Sequence, residues 1–439
     1  MNNKQKIYFF SEKNVEGNKD MFSLLGGKGA NIAEMCSLKL PVPPGFTITT
    51  EECVSYLKEK KLSPALKRDI EKNIKKVESV SGKLFGGDDP LLLSVRSGAP
   101  VSMPGMMETV LNIGLTQKTI PLLIKKTKNE KFVYDSYRRF IMMYSDVVME
   151  KGLRKNKTGQ PIRDQMEKLL DQMKKKNGYK NDSAVSSESW EGLAKQYLSL
   201  YEKTFNEQFP EDHTEQLHGA VRAVFSSWNG KRAKEYRAFE KIPSNMGTAV
   251  NVQAMVFGNM GTGCGTGVAF TRNPSSGDKS FYGEWLENAQ GEDVVAGVRT
   301  PHPILKKDGS ENSLEHVLPK AFKELNTIRT KLEKHFMDMQ DIEFTVENKK
   351  LWMLQTRRGK RTGMASIKIV TDMVKEKLIT KKEALSRVQP AQIYESLLKN
   401  IKPDSLLENS SISSGLPAGP GASSGSVVFS AEKAEALGK

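Results

Sequence analysis

Cysteine is scarce in this sequence: there are three in 439 residues, Cys36, Cys53 and Cys264, far apart and with no CxxC pair. That excludes a disulfide framework and a cysteine zinc site, and it fits a reducing compartment. Histidine is also sparse. None of His213, His218, His302, His316 and His335 has metal-ligand spacing with another histidine or with a cysteine pair. No apolar run approaches the ~18 residues that a bilayer-spanning helix needs. The opening MNNKQKIYFF is too short and too polar for a signal peptide. Several catalytic signatures are missing too: no GK is followed by Ser or Thr, and GxGxxG, HExxH and DxDxDG are absent.

What remains is an ordinary globular composition with a basic bias. Hydrophobic residues make up 38% and there are 35 glycines, which excludes disordered, collagen-like and fibrous classes. Acidic residues number 52 against 67 basic ones, a net charge of +15. Such a bias favours anionic partners, meaning nucleotides, nucleic acid or acidic lipid, without choosing among them. At roughly 100–200 residues per domain the length suggests two to four domains.

Along the chain the pattern predicts a mixed α+β body. A glycine-rich turn, Gly26-Gly27-Lys28-Gly29, opens a helix whose Ile32, Met35 and Cys36 share a buried face. A stiff PVPPG turn, a strand at 46–49 and a capping box of Thr49 with Glu52 follow. A buried strand at 91–97 ends at Arg96, Ser97 and Gly98. Residues 115–210 turn helical, with a lysine-rich solvated stretch at 151–180. From Gly247 the period changes to two: Val250, Val252, Ala254 and Val256 alternate with Asn251, Gln253, Met255 and Phe257. The loop at 258–267 reads as the tip of a hairpin whose second strand runs 268–271. Strands at 341–346 and 351–355 form another hairpin, and two amphipathic helices follow Arg361. SSGLPAGPGASS at 413–424 has linker composition, and 425–429 begins a new strand.

Four features carry chemistry. The GGKG turn precedes a helix N-terminus, where backbone N–H groups and the Lys28 charge suit a phosphate, although a plain surface turn looks the same. Gly258, Gly261, Gly263, Gly265 and Gly267 suit either a backbone cover over phosphates or a flexible tip. Asp341 and Glu343 lie two apart on a strand and so share a face. Mg²⁺ suits such a pair, and so does a solvated acidic surface. Gln355 and Arg357 lie on the partner strand, and Arg357 could reach phosphate. Arg96 is equally a paired structural arginine or a phosphate ligand. Arg138 and Arg139 read as structural ion-pair residues, and SMPGMM at 102–107 as core filler.

These segments together resemble the pyruvate, phosphate dikinase family over essentially the whole chain. The resemblance is carried by 25–35 (LGGKGANIAEM), 43–50 (PPGFTITT), 94–98 (SVRSG), 102–107 (SMPGMM) and 134–149 (YDSYRRFIMMYSDVVM). It continues through 248–274, 288–301 (NAQGEDVVAGVRTP), 331–345 (KLEKHFMDMQDIEFT) and 354–361 (LQTRRGKR). SMPGMM and SYRRF set this family apart from phosphoenolpyruvate synthase.

The resemblance implies an ATP-grasp nucleotide-binding fold over 1–358 with a helical insertion at about 115–215. It also implies a helical linker over 359–412 and the first strand of a swivelling phosphohistidine domain over 413–439. Lys28 and Arg96 would hold phosphates, and Asp341 and Glu343, with Gln355, would hold Mg²⁺ or metal-bound phosphates. Arg357 would stabilise charge during transfer. Gly261, Gly263, Gly265 and Gly267 would cover the β- and γ-phosphates, while Gln253 and Met255 line the adenine side. Implied partners are ATP, phosphate, a phosphohistidine domain, a pyruvate-binding barrel and a second copy of the enzyme. The implied location is the cytoplasm, or a peroxisome-like organelle given a C-terminal address.

GLPAGPGA at 415–422 resembles the opening of the carrier domain, yet the family's Thr-Ser-His motif and the barrel do not follow. The expectation is a chain that binds Mg·ATP without completing the dikinase reaction. Two other readings compete. One is a non-catalytic ATP-binding regulatory relative. The other is a nucleic-acid binder suggested by the +15 charge, against which stands the lack of aromatic interleaving at 151–180.

Overall fold

The computed structural model describes residues 5–103, 105–153, 156, 159–295, 299–306, 311–397 and 425–438. Among them the chain forms two compact units. The first comprises Met1–Ala269, Gly283–Ile328 and Asp341–Arg357, the second Phe270–Tyr282, Arg329–Gln340 and Arg358–Lys439. The second unit thus draws two segments from inside the 1–358 span.

The first unit is built around a five-stranded sheet. Its strands are β1 (Ile7–Phe10), β2 (Gly45–Ile48), β3 (Leu93–Gly98), β4 (Thr109–Ile113) and β5 (Ala249–Ala254), in the order β1-β2-β5-β3-β4. The period-two pattern splits its faces. Phe46, Ile48, Leu93, Val95, Val250 and Val252 enter a core with the helices, and each such side chain contributes roughly 1.5–3 kcal/mol by burial. The opposite positions are polar. Antiparallel register sets Thr47 against Asn251 and Arg96 against Asn251, so the three stand abreast across β2, β5 and β3. All six residues of β5 are buried, as expected of a central strand.

α1 (Phe22–Ser37) lies against this polar face. It is broken at Gly26, which takes φ 67° and ψ 167°. A Cβ there would lie 1.7 Å from the Gly98 carbonyl oxygen, and a Cβ on Gly29 would touch Thr47 and Asn251. The Gly27 N–H donates to the Ala99 carbonyl at 2.9 Å. Ile32, Met35 and Cys36 are buried as their spacing predicts. α2 (Thr50–Glu59) and α3 (Pro64–Ser81) follow β2. The expected capping box at α2 does not form: the Thr49 side chain makes no cap bond. Glu52 pairs instead with Lys6 at 3.2 Å.

The helical run extends past the expected end at 210. It holds α4 (Thr119–Thr127), α5 (Glu130–Met143), a π-helical stretch (Tyr144–Gly152), α6 (Ile162–Asn177), α7 (Ser187–Phe205), α8 (His213–Ser227) and α9 (Lys231–Phe239).

A second sheet contains β6 (Gly265–Phe270), β7 (Tyr282–Glu287), β8 (His302–Pro303), β9 (Gln340–Glu347) and β10 (Lys350–Arg358), ordered β10-β9-β6-β7-β8. The expected hairpin across 258–267 is therefore corrected. β5 and β6 belong to different sheets, and the glycine-rich stretch is the passage between them. β6 also begins three residues earlier than the sequence suggests. Between β7 and β9 lie α10 (Gly291–Val295), α11 (Leu314–Val317) and α12 (Pro319–Phe336).

The second unit carries α13 (Gly363–Lys375), α14 (Lys381–Arg387) and α15 (Pro390–Ser396), one helix more than expected. Met339, Ala365, Ile369, Val370, Met373 and Ile379 form its core. A fully buried Arg272 bonds both Glu333 and Glu376. The linker at 413–424 and the GLPAGPGA motif lie outside the described residues. The strand expected at 425–429 is absent: 425–428 have no regular structure, and α16 (Ala431–Leu437) follows.

Gly26→Ala and Gly82→Ala both place an L-residue at φ near 70°, but Gly82 has open space around its Cβ position. Gly82→Ala should cost about 1–2 kcal/mol in urea unfolding. Gly26→Ala should cost about 1–3 kcal/mol more because the Gly98 carbonyl must move. Equal costs would contradict the close approach.

Candidate functional site

The broken helix delivers Lys28 to the polar face of the first sheet. Its second segment starts at Gly27, whose N–H is held by the Ala99 carbonyl, so the helix dipole sits beside the lysine. A Cβ on Gly98 would lie 3.3 Å from the Lys28 Cβ, which puts the lysine over the end of β3. Arg96 projects from the same strand and donates to the Gln253 side-chain oxygen. The Gln253 amide donates in turn to the Pro43 carbonyl at 3.0 Å. Arg96 thus has a neutral partner, and its Nε has none among the described residues.

β9 and β10 present the opposing groups. Asp341 and Glu343 share a face with Gln355 and Arg357, as the period of two predicts. Arg357 Nε donates to the Asp341 carboxylate at 2.7 Å. Gln355 Nε2 donates to Glu343 at 3.2 Å. The Met353 N–H donates to the Pro41 carbonyl at 2.8 Å, which ties β10 to the turn before β2.

The charges of these residues meet at Lys28. Burial lowers its pKa, Arg96 lowers it further, Glu343 opposes and Arg357 adds, leaving it at about 7. Burial also lowers the Arg96 pKa against the pull of Glu343, though a guanidinium stays charged. Burial raises the pKa of Asp341 against its Arg357 pair, and Glu343 adds to the rise. Three cations face two carboxylates, so the cleft carries a surplus of positive charge. A phosphorylated ligand would relieve it.

The glycines divide into two groups. Gly261 and Gly263 lie in the connecting loop at φ 126° and 78°, where a side chain is strained. Gly265 and Gly267 lie within β6, and a Cβ on either would collide with the Trp285 or Phe344 ring at 2.8 and 2.6 Å. Those two positions have a packing reason that sequence reading missed. Gln253 is buried beneath Arg96, which makes it a support for the arginine. Met255 is half-buried just past β5, its N–H donating to the Leu92 carbonyl at 2.8 Å.

Sequence reading also passed over Thr47 and Asn251. Asn251 is fully buried, accepts from the Thr47 hydroxyl at 2.9 Å and leaves its Nδ2 unpartnered among the described residues. The alternation that singled out Gln253 puts Asn251 on the same face. Among the described residues no group of three or more His, Cys, Asp or Glu could hold a metal by itself. Asp341 and Glu343 would be a fitting donor pair for a hard cation that takes its other ligands from phosphate and water. No described helix is long and apolar enough to cross a membrane.

Lys28, Arg96 and Arg357 thus lie near Asp341 and Glu343, a charge arrangement that would suit a phosphorylated ligand. A family model described as "Pyruvate phosphate dikinase, AMP/ATP-binding domain" matches residues 22–84, 62–321 and 307–378. The pyruvate, phosphate dikinase of Rhizobium meliloti (strain 1021) is 48% identical over 435 residues, 98% of this chain and 47% of that relative. That of Clostridium symbiosum is 49% identical over 424 residues, 96% of this chain and 47% of the relative. Pyruvate, phosphate dikinase 2 of Zea mays is 47% identical over 435 residues, 98% of this chain and 47% of the relative. The chain belongs to the pyruvate phosphate dikinase family and carries its AMP/ATP-binding domain. It spans about half the length of the curated relatives it matches.

A lysine with a pKa of about 7 would make the binding of a phosphate group beside it pH-dependent. Below pH 7 it is already charged. Between pH 7 and its ordinary 10.5 the free protein has lost a proton that a bound phosphate restores. ATP binding should therefore take up a proton at pH 8 and weaken as pH rises above 7. Calorimetry in buffers of different ionisation enthalpy measures this. Uptake should be present in the parent and absent in Lys28→Met; no uptake in a parent that binds ATP would refute the assignment.

Proposed function

We propose that this cleft binds Mg·ATP in an ATP-grasp arrangement. The chain would then supply the nucleotide half of a dikinase that reversibly converts ATP, phosphate and pyruvate to AMP, diphosphate and phosphoenolpyruvate. The observation that carries the reading is the convergence of Lys28, Arg96 and Arg357 from three elements onto one place, where burial and like charge hold the Lys28 pKa at about 7. A polyanion would satisfy the three cations at once.

Lys28 and Arg96, with the N–H groups at the start of the Gly27 helical segment, hold phosphate oxygens. The Arg96 Nε and the Asn251 Nδ2 are the unspent donors nearest that place. The loop bearing Gly261 and Gly263 closes over the β- and γ-phosphates with its backbone. Met255, beside the Leu92 backbone, lines the adenine side, and Gln253 supports Arg96. Asp341 and Glu343 are the groups that would hold Mg²⁺, with Gln355 at their side. Bound Mg²⁺ supplies charge neutralisation across the phosphates. Arg357 now satisfies Asp341. In the loaded site it exchanges that carboxylate for phosphate and, with Arg96, stabilises charge on the transferring group.

The acceptor is a carrier histidine on a swivelling domain, which passes the phosphoryl group to a pyruvate-binding barrel. None of the five histidines here follows Thr-Ser, so none of them is expected to be that acceptor. The same reading makes the complete enzyme a cytoplasmic homodimer.

Calorimetric titration of Mg·ATP into the chain tests the proposal. The parent should bind. Arg96→Ala and Glu343→Ala should each lose about 10–100-fold in affinity, as expected for hydrogen bonds to charged groups. A folded parent that binds no ATP, or variants that bind as tightly as the parent, would refute it.

A further inference from the structure

α5 reaches the glycine-rich loop at two points. At its start the Asn129 side chain caps the helix by accepting the Phe132 N–H at 3.0 Å. Its Nδ2 donates to the Met260 carbonyl at 3.0 Å. Further along, Arg139 leaves the helix, donates to Asp293 at 3.0 Å and pairs with Glu292. Those two acids open α10, and the segment leading into it runs along both stems of the loop. The Ala289 N–H donates to the Gly258 carbonyl and the Asn288 N–H to the Cys264 carbonyl, each at 2.9 Å. Asp293 also accepts the Gln290 N–H at 2.9 Å, and the Gln290 amide donates to Asn259 at 3.3 Å.

Arg139 stands at the centre of four carboxylates. Its other side meets Asp135 at 3.1 Å and Asp182 at 3.6 Å. Arg138 and Lys174 also serve Asp135 and Asp182. Among the described residues no other cation pairs with Glu292 or Asp293. Without Arg139, Glu292 and Asp293 would lose their counter-charge among the described residues, while Arg138 and Lys174 would still serve Asp135 and Asp182. The 288–293 segment would leave α5, and the loop would keep the Asn129 bond, the bond from the Lys349 N–H to the Gly263 carbonyl and the bonds between Asn348 and the Cys264 thiol.

We propose that Arg139 is a positioning residue: through Glu292 and Asp293 it sets the 288–293 segment, and hence the 258–264 loop, where the loop can cover bound phosphates. This rests on the reading of the loop as a phosphate cover. It gives the helical layer a part in nucleotide binding that its distance from the phosphate ligands in sequence would not suggest. Arginine is suited to the task because its fork serves carboxylates on two sides at once.

The test compares the full chain with Arg139→Met and Arg139→Lys by hydrogen exchange and by calorimetry with Mg·ATP and with AMP. In the absence of nucleotide, Arg139→Met should speed exchange at 258–264 and 288–293 by about tenfold while β3 and β5 keep their protection. Its affinity for Mg·ATP should fall about tenfold and that for AMP less than about twofold, because only the triphosphate reaches under the loop. Arg139→Lys should recover part of both effects. Unchanged exchange at 258–264 would overturn the proposal. Exchange raised equally in β3 and β5 would do so too, since Arg139 would then be a general support. Faster loop exchange in a parent that binds no nucleotide would uphold the anchoring while refuting the reading of the cleft.

Discussion

The close approach of Gly26 to the Gly98 carbonyl is the contact on which the cleft depends. It requires a residue without a side chain at φ 67° and lets the turn settle onto the end of β3. Everything charged in the site follows from that seating. Lys28 comes to lie over Gly98, the Gly27 helical segment points its N–H groups the same way, and Arg96 rises two residues earlier on the same strand. A bulkier turn would lift the lysine from the arginine and dissolve the charge cluster that makes the place attractive to phosphate.

Arg272, Arg139 and Arg138 contrast with Arg96 in their partners. Arg272 is fully buried and met by Glu333 and Glu376; Arg139 is met by four carboxylates and Arg138 by two. Such groups are satisfied by the protein itself, and losing one partner would leave a costly buried charge. Arg96 differs. Its partner is a neutral amide, one of its donors is spare, and its neighbour Lys28 has a pKa lowered to about 7 by burial and by Arg96. Glu343 compensates these cations only in part, and a phosphate group would compensate them further.

Much of the site was legible in the sequence because its strands obey a simple period. Asp341, Glu343, Gln355 and Arg357 share a face for the reason the alternation gives, and the buried face of α1 follows from its spacing. The parts that were not legible depend on contacts distant in sequence. Nothing local reveals that β5 and β6 join different sheets, so 258–267 looks like a hairpin. Gly265 and Gly267 resemble loop glycines until Trp285 and Phe344 are seen to cover them. Thr49 and Glu52 have capping-box spacing, but Lys6, 46 residues away from Glu52, takes the carboxylate. The partners of Arg139 lie up to 154 residues from it, so its reach to the loop could not be read from the SYRRF stretch.

A crystal structure of the chain with Mg²⁺ and a non-hydrolysable ATP analogue tests the central claim most directly. The account predicts β- and γ-phosphate oxygens within hydrogen-bond distance of Lys28 and Arg96. It also predicts Arg357 turned from Asp341 toward phosphate, and Asp341 and Glu343 facing the metal. An analogue lodged elsewhere, or bound with Lys28 and Arg96 still unengaged, would contradict it.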